Sequence, residues 1–259
     1  PLAFRESVEA ELQDMVTKGI IEPVGDEAVE WTHPMVVRPK RDGGVRITTD
    51  FTKLNKQVER VVHNARTPAD VAADRVPNAK YFTMVDCKSG YWQLPLHEDS
   101  RNLTAFITPQ GIYRYLRGAM GFISTGDFFN MRGDKAIQGL KQVSKIVDDM
   151  LIEDITLAEH VQRVRSVLDR CREYNVTLNP KKFQFAQQRV KFAGYLIGQN
   201  GVEADPEKVR AIADFATPQN ITELRSFMGL THQLGQFSNE ISAAAVPLRD
   251  LLKTKNMFF

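Results

Sequence analysis

The chain has 259 residues, 42% of them hydrophobic and 25% charged, and its formal net charge at pH 7 is +2. These values are ordinary for a globular protein with a sizeable core, and they neither require nor exclude a nucleic-acid partner, because a cleft can be basic while the outer surface is acidic. No run approaches the roughly 20 apolar residues of a membrane-spanning helix, and residues 1–20 are too charged for a signal peptide.

Hydrophobic periodicity and turn residues predict helices mixed with antiparallel hairpins over the first 200 residues. In chain order, we predict a helix over 4–19, strands over 35–37 and 45–49, a short helix over 67–75, a strand over 81–86, a hairpin over 104–116, a helix over 124–139, two short strands within 143–154, a helix over 157–174 and a hairpin over 189–202 with an Asn-Gly turn. Only helices follow, over 205–215, 221–237 and 241–252. Hairpins combined with helices favour an α+β fold over a parallel doubly wound sheet.

Acidic residues end two apolar strands, Asp86 in the first and the pair Asp148 and Asp149 in the second. Neighbouring side chains of a strand point to opposite faces, so the adjacent pair can serve one site only if the chain turns there. Three converging carboxylates would repel each other unless they bound a cation, and Mg²⁺ prefers such hard oxygen ligands. On these residues alone, a solvated turn is the more common explanation, because Asp is a favoured turn residue.

The surrounding motifs add a resemblance that covers nearly the whole chain. In order, they are "WTHPMVVRPKRDGGVRITTDFTKLNK", "VDCKSGYWQLPL", "TAFITPQGIYRYLRGAMGF", "IVDDMLI", "TLNPKKFQF", "VKFAGYLIGQNGV" and "ITELRSFMGLTHQLGQF". Together they resemble the reverse transcriptases of gypsy-type long-terminal-repeat retrotransposons (Metaviridae) and, more distantly, those of retroviruses. Any one motif alone would be weak, whereas the ordered set is specific.

The resemblance implies a right-hand polymerase fold. It places the fingers at 1–80 with part of 105–140, and the palm at 81–202. The palm would hold an antiparallel sheet with helices and would include the primer-grip hairpin at 189–202. The thumb would be the helical segment 203–259.

The resemblance also implies catalytic residues. Asp86, Asp148 and Asp149 match the aspartates with which the family binds two Mg²⁺ ions, for which Mn²⁺ is a possible substitute. Such ions lie about 3.5–4 Å apart in two-metal phosphoryl transfer. We expect Asp149 to be the more peripheral ligand. Lys182 matches a candidate general acid toward the leaving pyrophosphate, with the adjacent Lys181 as the alternative.

Further positions match the family's nucleotide-binding residues. Lys40 and Arg46, on a predicted hairpin whose turn also carries Arg41, match residues that grip the incoming triphosphate. Tyr91 matches the gate that excludes a ribose 2′-hydroxyl. Met120 and Gly121 match the segment that lines the nucleotide pocket. The alternatives are a solvated basic turn for the cations and a core position for the tyrosine.

Two segments match nucleic-acid contacts of the family. Phe192, Gly194 and Tyr195 match the hairpin that positions the primer end. In the predicted thumb, Arg225, Gly229 and Gln233 recur every four residues, like a helix face that follows the minor groove of the template–primer. The alternative is an ordinary thumb helix whose apolar residues point inward, and both can hold on opposite faces.

Three departures from the family pattern line the expected pocket. Ile146 replaces a frequent tyrosine, residues 118–121 are GAMG, and residues 124–127 are STGD. We therefore weigh an RNA- and DNA-templated DNA polymerase against an inactive or domesticated relative that binds template–primer, and against a structural subunit without chemistry.

The expected partners are an RNA or DNA template with its primer, deoxynucleotides, and a possible second subunit or fused ribonuclease H and integrase domains outside this chain. No membrane is expected, nor any cleavage of the template RNA. The cysteines, Cys87 and Cys171, lack metal-ligand spacing, so we expect buried free thiols. The expected location is intracellular, in the cytoplasm within the virus-like particle of a retroelement.

Overall fold

The computed structural model describes residues 4–40, 43–235 and 239–253. The described helices are α1 Arg5–Thr17, α2 Thr52–Asn55, α3 Pro68–Ala73, α4 Glu98–Arg101, α5 Thr125–Ile137, α6 Leu157–Glu173, α7 Pro206–Ala213, α8 Ile221–Leu234 and α9 Asn239–Leu251. The described strands are β1 Ile21–Pro23, β2 His33–Pro39, β3 Val45–Thr49, β4 Tyr81–Asp86, β5 Phe106–Thr108, β6 Gly111–Tyr115, β7 Val143–Ile146, β8 Asp149–Asp154, β9 Gln184–Gln187, β10 Arg189–Phe192, β11 Tyr195–Gly198 and β12 Gly201–Ala204. The predicted α+β fold is confirmed.

A five-stranded sheet forms from two separate stretches of the chain, in the order β1-β6-β5-β2-β3. Only the β2–β5 pair of this sheet is parallel among the described strands. The sequence of β3 alternates, so Val45 and Ile47 are buried while Arg46 is exposed. Helix α1 covers the buried face through its apolar stripe, which includes Leu12 and Met15.

The sheet that carries the acids has the order β7-β8-β4-β9. Strands β4 and β8 are buried along nearly their whole length, which is typical of strands covered on both faces. On one face, Val85 and Ile152 pack against α5 and α6. On the other face, Met84 and Leu151 pack against the β10–β11 hairpin. Because side chains alternate, Asp86 and Asp149 emerge on the hairpin face.

The predicted hairpin at 189–202 is a three-stranded meander, β10-β11-β12, and strand structure continues to Ala204. Its first turn is Ala193-Gly194, with φ of 49° and 84°, the left-handed conformations that a type I′ turn requires. The prediction placed the turn at Asn200-Gly201. That dipeptide does contribute to a turn, but to the second one, which joins β11 to β12. The first turn was not predicted, because Ala-Gly is a weaker turn signal than Asn-Gly.

The remaining helices form a small bundle in which Leu224 and Met228 of α8 pack against Ala245 of α9. The predicted helix 221–237 ends at Leu234, and residues 236 and 237 lie outside the described ranges. Cys87 and Cys171 are buried free thiols, as predicted. No helix in the described part of the chain is long and apolar enough to cross a membrane.

Candidate active site

The three aspartates come together at the end of the β4–β8 pair. Asp86 is the last residue of β4, and its register partner across the sheet is Asp149, the first residue of β8. Asp148 precedes β8, and its carbonyl oxygen accepts a hydrogen bond of 2.8 Å from the Cys87 amide. The predicted turn is therefore present, but it is formed by Val147 and Asp148, while Asp149 already belongs to the strand. Val147 has a φ of 52°, which is rare for a β-branched residue.

Asp86 is buried and is held by two residues that follow α6. The Lys182 Nζ donates to Asp86 Oδ2 at 2.8 Å, and the Asn179 Nδ2 donates to Asp86 Oδ1 at 3.3 Å. The Asn179 amide also bonds to the Asp86 carbonyl oxygen at 2.8 Å, which fixes the two segments side by side. The hydrogen bond to Asp86 raises the pKa of Lys182, so this ammonium stays charged. Of the two adjacent lysines, Lys182 is the one that contacts the carboxylates.

Asp148 and Asp149 lie in a setting that disfavours their charge. Partial burial, followed by the proximity of Asp86, raises the pKa of both carboxyl groups. The Asp148 Oδ1 is buried and has no hydrogen-bond partner among the described residues. The Ala193 amide of the β10–β11 turn donates to Asp149 and offsets part of the penalty. The turn at 193–194 is thereby held against the acids.

The donor chemistry of this site fits a divalent cation. It presents three carboxylates at neighbouring positions, and a buried carboxylate oxygen without a partner is a free metal ligand. Within the described residues, no three acidic, histidine or cysteine side chains converge closely enough to form a ready metal cage. In this conformation the Lys182 ammonium provides the nearest compensating charge at Asp86.

Two residues that sequence reasoning missed support the acids. Asn179 orients Asp86, and its place in the "LNPKK" run before Lys182 was the available signal. Lys145 is 3% exposed, and its charge lowers the pKa of Asp148. The Lys145 Nζ bonds to Asp134 Oδ1 at 3.0 Å and to Asn130 Oδ1 at 3.2 Å. No sequence pattern identifies these partners, because they lie on α5.

The unusual STGD segment is integrated into the fold through Asp127. This buried carboxylate accepts a 2.9 Å hydrogen bond from Arg60 Nε and a 3.1 Å bond from the His63 amide. The Arg60 hydrogen bond lowers the pKa of Asp127 below its usual range. The departure from the family pattern is therefore compensated within this chain, because the new acid has its own cation.

The predicted gate and pocket residues form the adjoining wall. Tyr91 is half-buried with its ring edge-on to Phe129, and burial followed by the charge of Asp148 raises its pKa. Gly121 has a φ of 98°, and a Cβ there would lie 2.6 Å from the Thr49 carbonyl oxygen, so only glycine fits. Its carbonyl oxygen accepts a 2.9 Å bond from Asn55 Nδ2. Met120, next to it, is half-buried.

The two predicted triphosphate-binding cations differ in their contacts. The Lys40 Nζ lies 3.2 Å from Glu11 Oε1 on α1, so it is paired in this conformation. Arg46 is exposed on β3, and within the described ranges its guanidinium makes no hydrogen bond or ion pair. Arg38 is its cross-strand neighbour on the same face. Arg41 lies outside the described residues.

The predicted nucleic-acid contacts divide into exposed and buried residues. In α8, Arg225 and Gly229 are exposed opposite the buried apolar face, as predicted, while the side chain of Gln233 lies outside the described part. Phe192 and Tyr195 are 1% and 5% exposed. Their rings belong to the core below the meander, so Gly194 and the turn backbone are the surface that remains available. The roles of all these residues stay predictions.

The fold and the site define a polymerase of the right-hand class, and the comparisons name the family. The family described as "Reverse transcriptase (RNA-dependent DNA polymerase)" matches residues 38–197, and the chain belongs to it. It is 29% identical over 98% of its length to the Retrovirus-related Pol polyprotein from transposon opus of Drosophila melanogaster, and 29% identical over 98% to that from transposon gypsy. It is 31% identical over 85% of its length to the Transposon Tf2-3 polyprotein of Schizosaccharomyces pombe. The predicted gypsy-type resemblance is confirmed.

The chain spans only 26% and 25% of the opus and gypsy polyproteins, and 17% of the Tf2-3 polyprotein. Among solved structures, the foamy viral protease-reverse transcriptase dRH in complex with double-stranded DNA matches 97% of this chain and 44% of its own, with a TM-score of 0.89 and 24% identity. The foamy viral protease-reverse transcriptase in complex with an RNA/DNA hybrid matches 97% of this chain and 34% of its own, with a TM-score of 0.85 and 23% identity. These likenesses establish the fold, and the predicted polymerase architecture is confirmed.

Proposed function

We propose that this chain extends the 3′-hydroxyl of a primer with deoxynucleotides on an RNA or DNA template. The observation that carries the proposal is the arrangement of Asp86, Asp148 and Asp149 at one end of a buried strand pair, where the Asp148 Oδ1 has no partner among the described residues. Family membership supports this activity, and the complexes of the foamy viral enzyme with double-stranded DNA and with an RNA/DNA hybrid support a template–primer ligand.

In this proposal the three aspartates hold two Mg²⁺ ions, or Mn²⁺ in their place. Bound metal would activate the primer hydroxyl and offset charge on the triphosphate. The other residues of the proposed site would bind the triphosphate, hold a proton near the leaving group and exclude ribonucleotides. Lys182, released from Asp86, would hold a proton within reach of the leaving pyrophosphate. Tyr91, whose ring packs edge-on against Phe129, would block a ribose 2′-hydroxyl. Arg46, exposed on β3 and without a partner among the described residues, would grip the triphosphate, with Lys40 joining after release from Glu11.

We also propose the predicted division into fingers at 1–80 with part of 105–140, palm at 81–202 and thumb at 203–259, together with an intracellular, cytoplasmic location. Three structural units support the division: the five-stranded sheet, the acid-bearing sheet with its meander, and the helices that follow. A second subunit or fused domains stay predictions, since the relatives are much longer than this chain.

Extension of a labelled DNA primer on an RNA template tests the activity. We expect the wild type to extend it with Mg²⁺ and deoxynucleotides, and Asp148→Asn to be slower by at least about 100-fold, because one ligand charge for the transition state is lost. The matched control is Asp99→Asn, which changes an exposed acid on α4 and should extend normally. Template–primer binding by the wild type without extension would favour an inactive relative.

A further inference from the structure

A concave pocket of about 600 Å³ is lined in part by the segment that follows Asp86. Four of its lining residues are cations, Lys18, Lys88, Arg117 and Arg132, and none of the described residues that line it is acidic. Lys18 is paired with Asp14 on α1. The other three have no acidic partner among the described residues. A concentration of like charge in a concavity raises the local potential and favours a multivalent anion.

The cations Arg117, Lys88 and Arg132 differ in burial and in the hydrogen bonds that they already make. Arg117 is half-buried, and within the described ranges its guanidinium makes no hydrogen bond or ion pair. Lys88 is exposed, and its side chain is likewise unpaired there. Arg132 donates to the carbonyl oxygens of Gln93, Tyr174 and Asn175, which orient it but leave its charge uncompensated. Arg117 is therefore a half-buried donor without an acceptor among the described residues, which indicates a site whose acceptor comes from outside the chain.

The pocket walls are fixed by hydrogen bonds. The Gln93 Nε2 donates to the Lys88 and Thr177 carbonyl oxygens at 2.6 and 2.9 Å, and the Gln93 Oε1 accepts from the Thr177 amide at 2.9 Å. Arg132 ties the same Gln93 residue to the end of α6. The spacing of the cations therefore does not depend on a mobile surface loop, and little ordering is needed when an anion binds.

The pocket adjoins the catalytic acids through the backbone. Lys88 is two residues beyond Asp86, about 7 Å along an extended chain. The Lys88 amide bonds to the Thr177 carbonyl oxygen at 2.9 Å, and the Asn179 amide bonds to the Asp86 carbonyl oxygen at 2.8 Å, so both segments run from the acids into the pocket wall. The pocket wall and the Asp86 segment are therefore held together by the same backbone hydrogen bonds.

We infer that this pocket binds a small polyphosphate, of which pyrophosphate is the member released by the proposed reaction. The binding is argued from the pocket itself, whereas the pyrophosphate role rests on the proposed function. A single nucleic-acid strand fits less well, because such strands need a row of phosphate contacts with exposed aromatic faces for the bases. The one aromatic ring of the described lining, Trp92, packs against the core of the five-stranded sheet.

Titration calorimetry with sodium pyrophosphate in metal-free buffer tests the inference. We expect saturable binding by the wild type and affinity at least about tenfold lower for Lys88→Gln/Arg117→Gln, because the loss of even one charged hydrogen bond lowers affinity by about a factor of ten. The matched control is Lys141→Gln/Arg165→Gln, which removes one exposed lysine and one exposed arginine elsewhere and should bind like the wild type. Circular dichroism verifies that each variant is folded.

Three outcomes overturn the inference: no binding by the wild type, equal binding by the pocket variant, or a dependence on Lys88 and Arg117 seen with a single-stranded oligonucleotide but not with pyrophosphate. Lys182→Gln separates the pocket from the carboxylate site, because Lys182 is the cation that contacts Asp86, and we expect this variant to bind pyrophosphate like the wild type without metal. Loss of binding in Lys182→Gln would place the anion at the acids, which is a fourth outcome that overturns the inference. Failure of primer extension with pyrophosphate binding intact would reject the proposed function and leave the pocket assignment standing.

Discussion

Asp148 shows how a single residue can oppose folding in order to serve a site. Its Oδ1 is buried without a partner among the described residues, and its neighbour Asp86 adds repulsion. A buried acceptor without a partner costs about 1–3 kcal/mol. The adjoining Val147, with a φ of 52°, shows that the turn also holds a rare backbone conformation. Unfavourable groups concentrated at one position are typical of sites where a ligand supplies the missing partner.

We therefore expect Asp148→Asn to stabilise the metal-free protein by about 1 kcal/mol at pH 7.5, since the amide removes a disfavoured charge. The pKa of Asp148 is raised above its usual 3.8 in the folded state, so the penalty exists where the group is ionised and disappears as the pH falls. At about pH 2.5, more than one unit below 3.8, the group is protonated in both states, and the two proteins should be equally stable. Urea unfolding at pH 7.5 and at about pH 2.5 measures both stabilities. A variant that is less stable than the wild type at pH 7.5 would contradict the prediction.

Tyr91 gives a second prediction at the residue scale. Its ring lies against Phe129, and its hydroxyl approaches the backbone at Gly126. We expect Tyr91→Ala to incorporate ribonucleotides at least about tenfold more readily relative to deoxynucleotides, because the bulk that would clash with a 2′-hydroxyl is lost. Tyr91→Phe keeps the ring and should retain the selectivity. Primer extension with each sugar measures the ratio, and an unchanged ratio in Tyr91→Ala would remove the gate assignment.

At the scale of elements, helix α8 separates packing from binding by its two faces. Leu224 and Met228 are buried against α9, while Arg225 and Gly229 are exposed. A Cβ at Gly229 would meet no atom within 4 Å, so the fold does not require glycine there. Glycine inside a helix is unfavourable by about 1 kcal/mol relative to alanine. The predicted close approach of a template–primer to the helix backbone would account for glycine at this position.

We accordingly expect Gly229→Ala to stabilise the protein by about 0.5–1 kcal/mol and to weaken template–primer binding at least about threefold. Thermal unfolding and fluorescence anisotropy with a labelled duplex measure the two effects. The control is Ser226→Ala, an exposed substitution on the same helix that should alter neither by much. Tighter or unchanged duplex binding by Gly229→Ala would argue that α8 does not lie along the duplex.

The same scale shows what sequence patterns can and cannot predict. Strands β3 and β4 and helix α6 were predictable because alternation, apolar runs and helical periodicity act over neighbouring residues. The parallel β2–β5 pair joins residues about seventy positions apart, and no local pattern encodes it. The same holds for buried polar partners. His160, fully buried on α6, bonds to Thr83 Oγ1 at 2.6 Å and to Asp154 Oδ2 at 2.8 Å.

For the candidate site residues too, local sequence motifs predict identity, whereas long-range packing decides the contacts. The motif pointed to Asp86 and Lys182, and the structure brings them to 2.8 Å. It could not show that Lys40 pairs with Glu11, because that contact depends on how α1 packs against the sheet. Nor could it show that the rings of Phe192 and Tyr195 point into the core, because the register of the meander decides their face. The residue types of the site can therefore be read from local motifs, whereas the direction in which each side chain points depends on tertiary packing.

At the scale of the whole molecule, the acid-bearing strands β4 and β8 lie between two packed layers. One face of the β4–β8 pair rests on α5 and α6, and the other rests on the meander whose turn bonds to Asp149. A divalent ion at the carboxylates would therefore stabilise several packed units together. Binding to the folded state alone raises stability by an amount set by the ligand concentration relative to its dissociation constant.

We expect Mg²⁺ at 100 times its dissociation constant to raise the free energy of unfolding by about 2.7 kcal/mol, because the unfolded chain no longer holds the three carboxylates together. The measurement is thermal unfolding with increasing MgCl2, at a constant ionic strength set by KCl. Asp148→Asn should lose most of the increase, whereas Asp99→Asn should keep it. Equal stabilisation of all three proteins would mean that Mg²⁺ acts on the general surface charge. In that case the carboxylates at the end of the β4–β8 pair would not be its binding site.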